Sequence, residues 1–150
     1  MAVTIQPLRP DQIEAAMAVV IAGGVEFFGR PPVECDDMAD LGSHYAAPSG
    51  TFLVLLDAGR VVGTGAIRRF EAETCELKRM WFLPPYRGRG WGTMMAEKLF
   101  EFARGAGYKR IRLDTTPELE AANRLYRRLG FYPIERYHAG VGTIFMERLL

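Results

Sequence analysis

The chain has 150 residues, of which 49% are hydrophobic and 25% are charged, and its formal net charge is +1 at pH 7. This composition excludes a disordered chain and predicts one globular domain over residues 1–150. Balanced charge gives no overall attraction to nucleic acid, and two cysteines are too few for a disulfide framework. The sequence shows neither a leader peptide nor an apolar stretch of about 20 residues. We therefore expect a cytoplasmic protein that binds neither nucleic acid nor membranes.

Periodicity in the first half predicts a strand, two helices and then three strands. The first helix follows Asp11, a suitable capping residue, and its apolar side chains recur at helical spacing. Gly23 to Pro32 holds paired glycines and paired prolines, which favours a loop before the second helix. Cys75 falls in an apolar strand and is expected to be a buried free thiol. The predicted ranges are Val3–Leu8 (strand), Val33–Tyr45 (second helix), and Thr51–Leu56, Arg60–Phe70 and Thr74–Leu83 (strands).

The second half alternates helices and strands. Gly90 to Gly107 carries one apolar stripe at helical spacing, and Thr116 with Pro117 is typical of the start of another helix, which Gly130 ends. Strands are predicted at Arg110–Thr115, Phe131–Arg136 and Thr143–Leu149. Adjacent strands followed by strand–helix–strand units indicate an α/β protein with a mixed sheet and helices on both faces.

The most informative stretch joins a predicted strand to a predicted helix and runs from Trp81 to Thr93. After paired prolines, Gly88, Gly90 and Gly92 alternate with Arg89 and Trp91. Glycines let backbone N–H groups turn toward a ligand, and a helix amino terminus adds unpaired N–H groups with partial positive charge. This combination suits a pyrophosphate, with Arg87 and Arg89 supplying full charges.

Two better-known phosphate motifs do not match this stretch. No lysine follows the glycines, which excludes a P-loop, and the glycine spacing does not fit the dinucleotide fingerprint. A glycine-rich turn with merely solvated arginines, or a nucleotide-phosphate binder of another fold, stays open at this point.

A second motif makes the pattern specific. Arg87-x-x-Gly90-x-Gly92 between a strand and a helix, followed by the run from Asn123 to Phe131, resembles the acetyl-CoA signature and the next motif of the GNAT acyltransferases. The resemblance covers Thr51 to the carboxyl end, whereas the first fifty residues match only in element order. It implies a mixed, mostly antiparallel sheet of about seven strands with about four helices on both faces.

The resemblance also implies roles for particular residues. Backbone groups of Met80, Trp81 and Phe82 would pair with the pantetheine arm of acetyl-CoA, as an added strand pairs with a sheet edge. The loop Gly88–Thr93, with Arg89 and Trp91, would hold the pyrophosphate, and Thr93 adds a hydroxyl. Asn123 would reach the pantetheine, and Tyr126 would lie near the thioester sulfur.

The chemistry of acyl transfer limits what Tyr126 can do. Transfer to an amine expels a thiolate, and a thiol with a pKa of about 8.5 is more acidic than a phenol with a pKa of about 10. Tyr126 is therefore interpreted as a hydrogen-bond donor to the developing thiolate. The alternative is that Tyr126 is only a packing aromatic.

An acceptor amine must lose a proton before it attacks, and Glu76 is the first candidate for the base. It lies eleven residues before Arg87 on the strand that leads into the loop, a spacing that resembles the catalytic glutamate of some GNAT members. The alternative is a surface glutamate that pairs with Lys78 or Arg79. Glu71, Glu73 and bulk water stay open as bases, and Asp114 is a weaker candidate expected mainly to support a helix start.

The acceptor is less well defined. The positions that shape the acceptor pocket in this family hold Phe27, Phe28, Arg30, Tyr137 and His138. Aromatic walls with an arginine suit a small primary amine that bears a carboxylate, such as an amino acid. Acetyl-CoA would be the acyl donor in a ternary complex, no metal is expected, and a homodimer is compatible with the family. The alternatives are a non-catalytic acyl-CoA-binding module and a peptide or protein N-acetyltransferase.

Overall fold

The computed structural model describes residues 3–32, 37, 40, 44–140 and 142–150. Seven strands and three α-helices lie in this part of the chain. The elements, in chain order, are β1 Val3–Pro7, α1 Ile13–Phe28, β2 Thr51–Asp57, β3 Arg60–Glu71, β4 Thr74–Phe82, α2 Trp91–Gly105, β5 Arg110–Thr115, α3 Glu120–Arg128, β6 Tyr132–Ile134 and β7 Ile144–Leu149. The predicted helix over 33–45 falls largely outside the described residues, so three helices are seen where about four were expected.

All seven strands form one sheet in the order β1-β2-β3-β4-β5-β7-β6. Every neighbouring pair is antiparallel except β4 and β5, which are parallel. The mixed, mostly antiparallel sheet is therefore confirmed. The last strand, β7, inserts between β5 and β6, so the final two strands pair as an antiparallel hairpin whose second arm lies inside the sheet.

The helices cover both faces of this sheet. Strand β2 is buried along its length, and its alternate side chains belong to two different cores. Leu53 and Leu55 pack in the core that includes Met95 and Leu99 of α2, and Tyr126 of α3 joins the same core. Val54 packs on the opposite face, in the core that includes α1. Continuous apolar sequence is what a strand covered on both faces requires. No helix in the described ranges is long and apolar enough to span a bilayer.

Two local predictions are wrong for reasons of packing. Helix α1 runs through Gly23 and Gly24 to Phe28, where a loop was expected. A Cβ atom at Gly23 would lie 2.3 Å from a ring carbon of Trp81, so the glycine lets the helix approach the sheet and does not end the helix. Helix α3 begins at Glu120 rather than beside Thr116, because the Thr116 carbonyl accepts hydrogen bonds from the Leu119 amide and from a side chain of the helix itself.

Cys75 is fully buried and free, as expected. Its thiol donates to the Arg110 carbonyl at 3.6 Å, and burial raises its pKa to about 12. It is therefore an unreactive core side chain at neutral pH.

Candidate active site

The sheet opens where β4 leaves β5. Only Thr74, Cys75 and Glu76 of β4 pair with β5, although both strands continue beyond these residues. Further along β4 a bulge interrupts its pairing with β3, since Thr64 pairs with Trp81 but Ala66 pairs with Lys78. A bulge bends its strand and increases the local twist. The divergence of β4 from β5 forms a cleft of about 1130 Å³ that both strands, the end of α1, α3 and the segment before β7 line.

The glycine-rich turn lies at the end of β4. Gly88 and Gly90 have φ angles of 70° and 86°, a conformation that residues with a Cβ atom rarely adopt. Gly90 is the N-cap of α2 and has no side chain with which to cap the helix. The first intrahelical hydrogen bond is donated by the Met94 amide to the Gly90 carbonyl. The amides of residues 91–93 therefore precede the first intrahelical donor. This arrangement of amides and helix dipole can bind an anion.

The two arginines of this turn have different surroundings. Arg87 donates to both carboxylate oxygens of Glu26 at 2.6 and 2.8 Å, donates to the Phe82 carbonyl at 2.9 Å, and lies over the Phe27 ring. Its charge, expected at the phosphates, is thus used to attach the turn to α1. Arg89 is exposed, and the described part of the chain gives it no partner.

Asn123 and Tyr126 both lie on α3 and are both buried. The Asn123 amide is occupied within the protein, because its oxygen accepts from Thr115 Oγ1 at 2.8 Å and its nitrogen donates to the Thr116 carbonyl at 2.9 Å. These bonds join α3 to the end of β5, and the contact of Asn123 with the pantetheine stays a prediction.

Tyr126 lines the cleft. Its ring packs edge-on against Phe131 at 5.7 Å, while its hydroxyl has no hydrogen-bond partner among the described residues. Burial, and then the charge of Asp114, raise the pKa of the Tyr126 hydroxyl, which keeps that hydroxyl protonated. The residue is both a packing aromatic and an available donor.

Glu76 is buried and lines the cleft. Its Oε1 accepts from Arg68 Nε at 3.0 Å and its Oε2 accepts from the Tyr137 hydroxyl at 2.8 Å. The alternative, a surface glutamate paired with Lys78 or Arg79, is wrong. Arg68 is the cross-strand neighbour of Glu76 in the β3–β4 register, and directly opposed side chains on one sheet face are the ones that meet.

Asp114 and His138 approach the same point. One ligand-capable atom from each of Glu76, Asp114 and His138 lies within 4.8 Å of the others. His138 Nδ1 accepts the Gly140 N–H at 2.9 Å, which assigns the proton of the neutral ring to Nε2, and Nε2 lies 3.5 Å from Asp114 Oδ1. Lys78 donates to the same oxygen at 3.4 Å. Because Arg68 and Lys78 already neutralise the two carboxylates, this donor set has little excess charge to offer a metal cation.

Sequence reasoning undervalued Asp114 and missed the pairing of Tyr137 with Glu76. Asp114 could have been found, because it lies near the carboxyl end of β5, which is parallel to β4. Nothing local indicates the Tyr137–Glu76 bond, which joins residues 61 positions apart.

The predicted acceptor residues separate into two groups. Phe28, Arg30 and His138 line the cleft. Phe27 instead packs against Trp81, with ring centroids 6.2 Å apart, which attaches α1 to β4. Tyr137 reaches the site through its hydroxyl on Glu76.

A parallel pair of strands that diverges beside a glycine-rich helix start agrees with the resemblance to the GNAT acyltransferases noted in the sequence. The model of the Acetyltransferase (GNAT) family matches residues 23–131, and the chain belongs to this family. It is 40% identical over 94 residues to the N-acetyltransferase YjgM of Escherichia coli (strain K12), covering 61% of this chain and 56% of that protein. It is 39% identical over 107 residues to N-acetylaspartate synthetase of Homo sapiens, covering 68% of this chain and 35% of that protein.

The chain therefore spans about half or less of these two relatives. Among solved structures, the PaiA N-acetyltransferase of Thermoplasma acidophilum in complex with coenzyme A has the same fold, with a TM-score of 0.80 at 16% identity and full coverage of both chains.

Proposed function

We propose that this protein is an acetyl-CoA-dependent N-acetyltransferase whose acceptor is a small primary amine bearing at least one carboxylate. One observation carries the proposal: a single cleft holds an unpartnered tyrosine hydroxyl, Tyr126, on one side and the carboxylates of Glu76 and Asp114 on the other. These are the groups that proton transfer from an amine and departure of a thiolate require.

The donor has a natural path along β4. Beyond Glu76 no described residue pairs with the β5 side of this strand, so the backbone of Met80, Trp81 and Phe82 is available to pair with the amide groups of a pantetheine arm. At the end of that strand the amides of residues 91–93 and the side chain of Arg89 would bind the pyrophosphate.

In the proposed reaction, the acceptor ammonium gives one proton to Glu76 or Asp114, directly or through water. The freed amine nitrogen attacks the thioester carbonyl, a C–N bond forms, and the C–S bond breaks with its electron pair remaining on sulfur. Tyr126 donates a hydrogen bond to the departing thiolate. The attacking nitrogen loses its second proton as the amide forms, and the thiolate takes up one proton. The products are therefore an N-acetylated acceptor and free thiol, and the carboxylate releases the first proton to solvent. Arg68 and Tyr137 orient Glu76, and Lys78 orients Asp114.

The cations of the cleft support an anionic acceptor. Arg68 and Lys78 are paired with the two carboxylates, whereas Arg30 and Arg69 are exposed in the same cleft and have no partner in the part of the chain that the structure describes. Two unpaired guanidinium groups suit a carboxylate-bearing amine. The name of the human relative, N-acetylaspartate synthetase, also supports an amino acid with two carboxylates.

The test is thiol release from acetyl-CoA with a panel of amines. L-aspartate and L-glutamate carry a second carboxylate on the side chain, and L-asparagine and L-glutamine are the matched acceptors with neutral side chains. A short peptide tests the protein-acetylating alternative. We expect the anionic amino acids to have the highest kcat/KM. Arg69→Met should raise the KM for them by about tenfold or more, since a charge-assisted hydrogen bond contributes roughly 1.5–3 kcal/mol.

Arg9→Met is the matched control, because Arg9 is an exposed arginine paired only with the nearby Asp11. If the protein binds coenzyme A but releases no thiol from acetyl-CoA with any amine of the panel, the proposed enzyme activity is refuted and the acyl-CoA-binding module remains. Preference for the peptide would refute the small-molecule acceptor.

A further inference from the structure

Arg79 has an unusual backbone conformation within strand β4. Its φ angle is 56°, and the only other non-glycine residue with positive φ in the described ranges is Ala58, which lies in the turn between β2 and β3. A residue with a Cβ atom is strained in this region, so the surrounding structure must hold it there. Arg79 lies at the bulge that separates the Ala66–Lys78 pair from the Thr64–Trp81 pair.

Contacts from two other parts of the chain hold Arg79 in this conformation. Its guanidinium donates to both carboxylate oxygens of Asp37, from Nε at 2.8 Å and from Nη2 at 2.5 Å. The Tyr45 hydroxyl donates to the same carboxylate at 2.5 Å. The backbone carbonyl of Arg79 accepts a hydrogen bond from the buried Thr64 hydroxyl at 2.6 Å. Thus both the side chain and the main chain of the strained residue are bonded to distant elements.

The position of the bulge gives these bonds a functional consequence. Glu76 lies before it, in the portion of β4 that still pairs with β5. Met80 lies within it, next to Arg79, and Trp81 and Phe82, where the donor would also bind, lie after it. The geometry of Arg79 therefore sets where the thioester lies relative to the carboxylates of the cleft.

We propose, on the basis of the function proposed above, that Asp37 is a positioning residue: its ion pair with Arg79 maintains the β4 bulge and thereby aligns the bound thioester with the acceptor amine. Asp37 does not line the cleft, so its effect on the reaction is transmitted through Arg79.

The central experiment compares Asp37→Asn with the double variant Asp37→Asn/Arg79→Gly. The single variant weakens the ion pair and leaves a strained arginine. Misalignment of about 1 Å can cost on the order of 10²-fold in rate, so we expect kcat to fall by at least about tenfold. The Kd of coenzyme A should change by no more than about twofold, because the pyrophosphate loop is untouched.

Glycine adopts positive φ without strain and needs no ion pair to stay there. The double variant should therefore recover kcat to several times that of Asp37→Asn. Tyr45→Phe is the matched control, since it removes one hydrogen bond from the Asp37 carboxylate and keeps the arginine pair; we expect its kcat to stay near the wild-type value. A double variant no faster than Asp37→Asn, or a Tyr45→Phe variant as slow as Asp37→Asn, would overturn the proposal.

Amide hydrogen exchange of residues 80–82 separates this proposal from the proposed function. It should be faster in Asp37→Asn and return toward the wild-type rate in the double variant, whatever the acceptor. Wild-type protein that acetylates no amine would refute the proposed function alone. Unchanged exchange in Asp37→Asn would refute the role of Asp37 alone.

Discussion

Substitution of Tyr126 by phenylalanine removes one hydroxyl and should separate catalysis from stability. Tyr126 is 6% exposed, and its ring keeps its contact with Phe131 in the variant. The hydroxyl has no hydrogen-bond partner among the described residues, so its removal breaks no bond within the folded protein. The free energy of unfolding should therefore stay within about 0.5 kcal/mol of wild type.

The expected effect on catalysis is much larger. Loss of one donor to a developing anion costs on the order of 10²-fold in kcat, which corresponds to about 2.7 kcal/mol of transition-state stabilisation. Because the bond forms only as the C–S bond breaks, kcat and kcat/KM should fall together. The raised pKa of Tyr126 keeps its hydroxyl protonated from acidic to mildly alkaline pH, so the ratio of wild-type to variant rates should be constant over that range.

The assay combines thiol release, calorimetric titration with acetyl-CoA and denaturant unfolding. Tyr108→Phe is the matched control, because the buried Tyr108 hydroxyl donates to the Ser49 carbonyl at 2.7 Å. The control should lose about 1 kcal/mol of stability and keep its kcat. Full activity of Tyr126→Phe would show that Tyr126 is a packing residue only, and a loss of more than about 1 kcal/mol of stability would show that its hydroxyl is already bonded in the protein.

Three further predictions concern the loop, the base and acid stability. Gly90→Val places a β-branched residue at a φ of 86°, so the loop should shift and the Kd of coenzyme A should rise at least about tenfold. The control Gly105→Ala, at the other end of α2, should leave the Kd of coenzyme A unchanged. Calorimetric titration with coenzyme A measures both values. Glu76→Gln should lower kcat at neutral pH and regain part of it at high pH, where the acceptor amine deprotonates by itself; pH–rate profiles that superimpose on wild type would remove Glu76 from the mechanism. Burial alone would raise the pKa of Asp37, but hydrogen bonds from Arg79 and Tyr45 lower it from 3.8 to about 2. About 2 kcal/mol of folding stability should therefore be present above pH 4 and be lost as the pH falls from 4 to 2. Asp37→Asn should flatten that part of the unfolding profile, and an unchanged acid limb would contradict the assignment.

Local patterns accounted for most of the elements. Strand β5 has the predicted bounds Arg110–Thr115, and β2 and β3 each extend one residue beyond their predicted ends. The glycine-rich turn before α2 was also predictable, since glycine adopts the positive φ angles of residues 88 and 90 without strain. These features follow from side-chain periodicity and backbone sterics, which act over a few residues.

The sequence by itself thus determined the number of strands, the alternation of elements and the position of the glycine-rich turn. Only the tertiary structure decided that β7 lies between β5 and β6, that Arg87 pairs with Glu26, and that Glu76 is bonded to Tyr137. Each of these two side-chain pairings joins residues 61 positions apart. Such contacts depend on how strands order and register across the whole sheet, and no local periodicity encodes that arrangement. Side chains that the sequence places on separate strands and loops become one site because β4 bends away from its parallel neighbour.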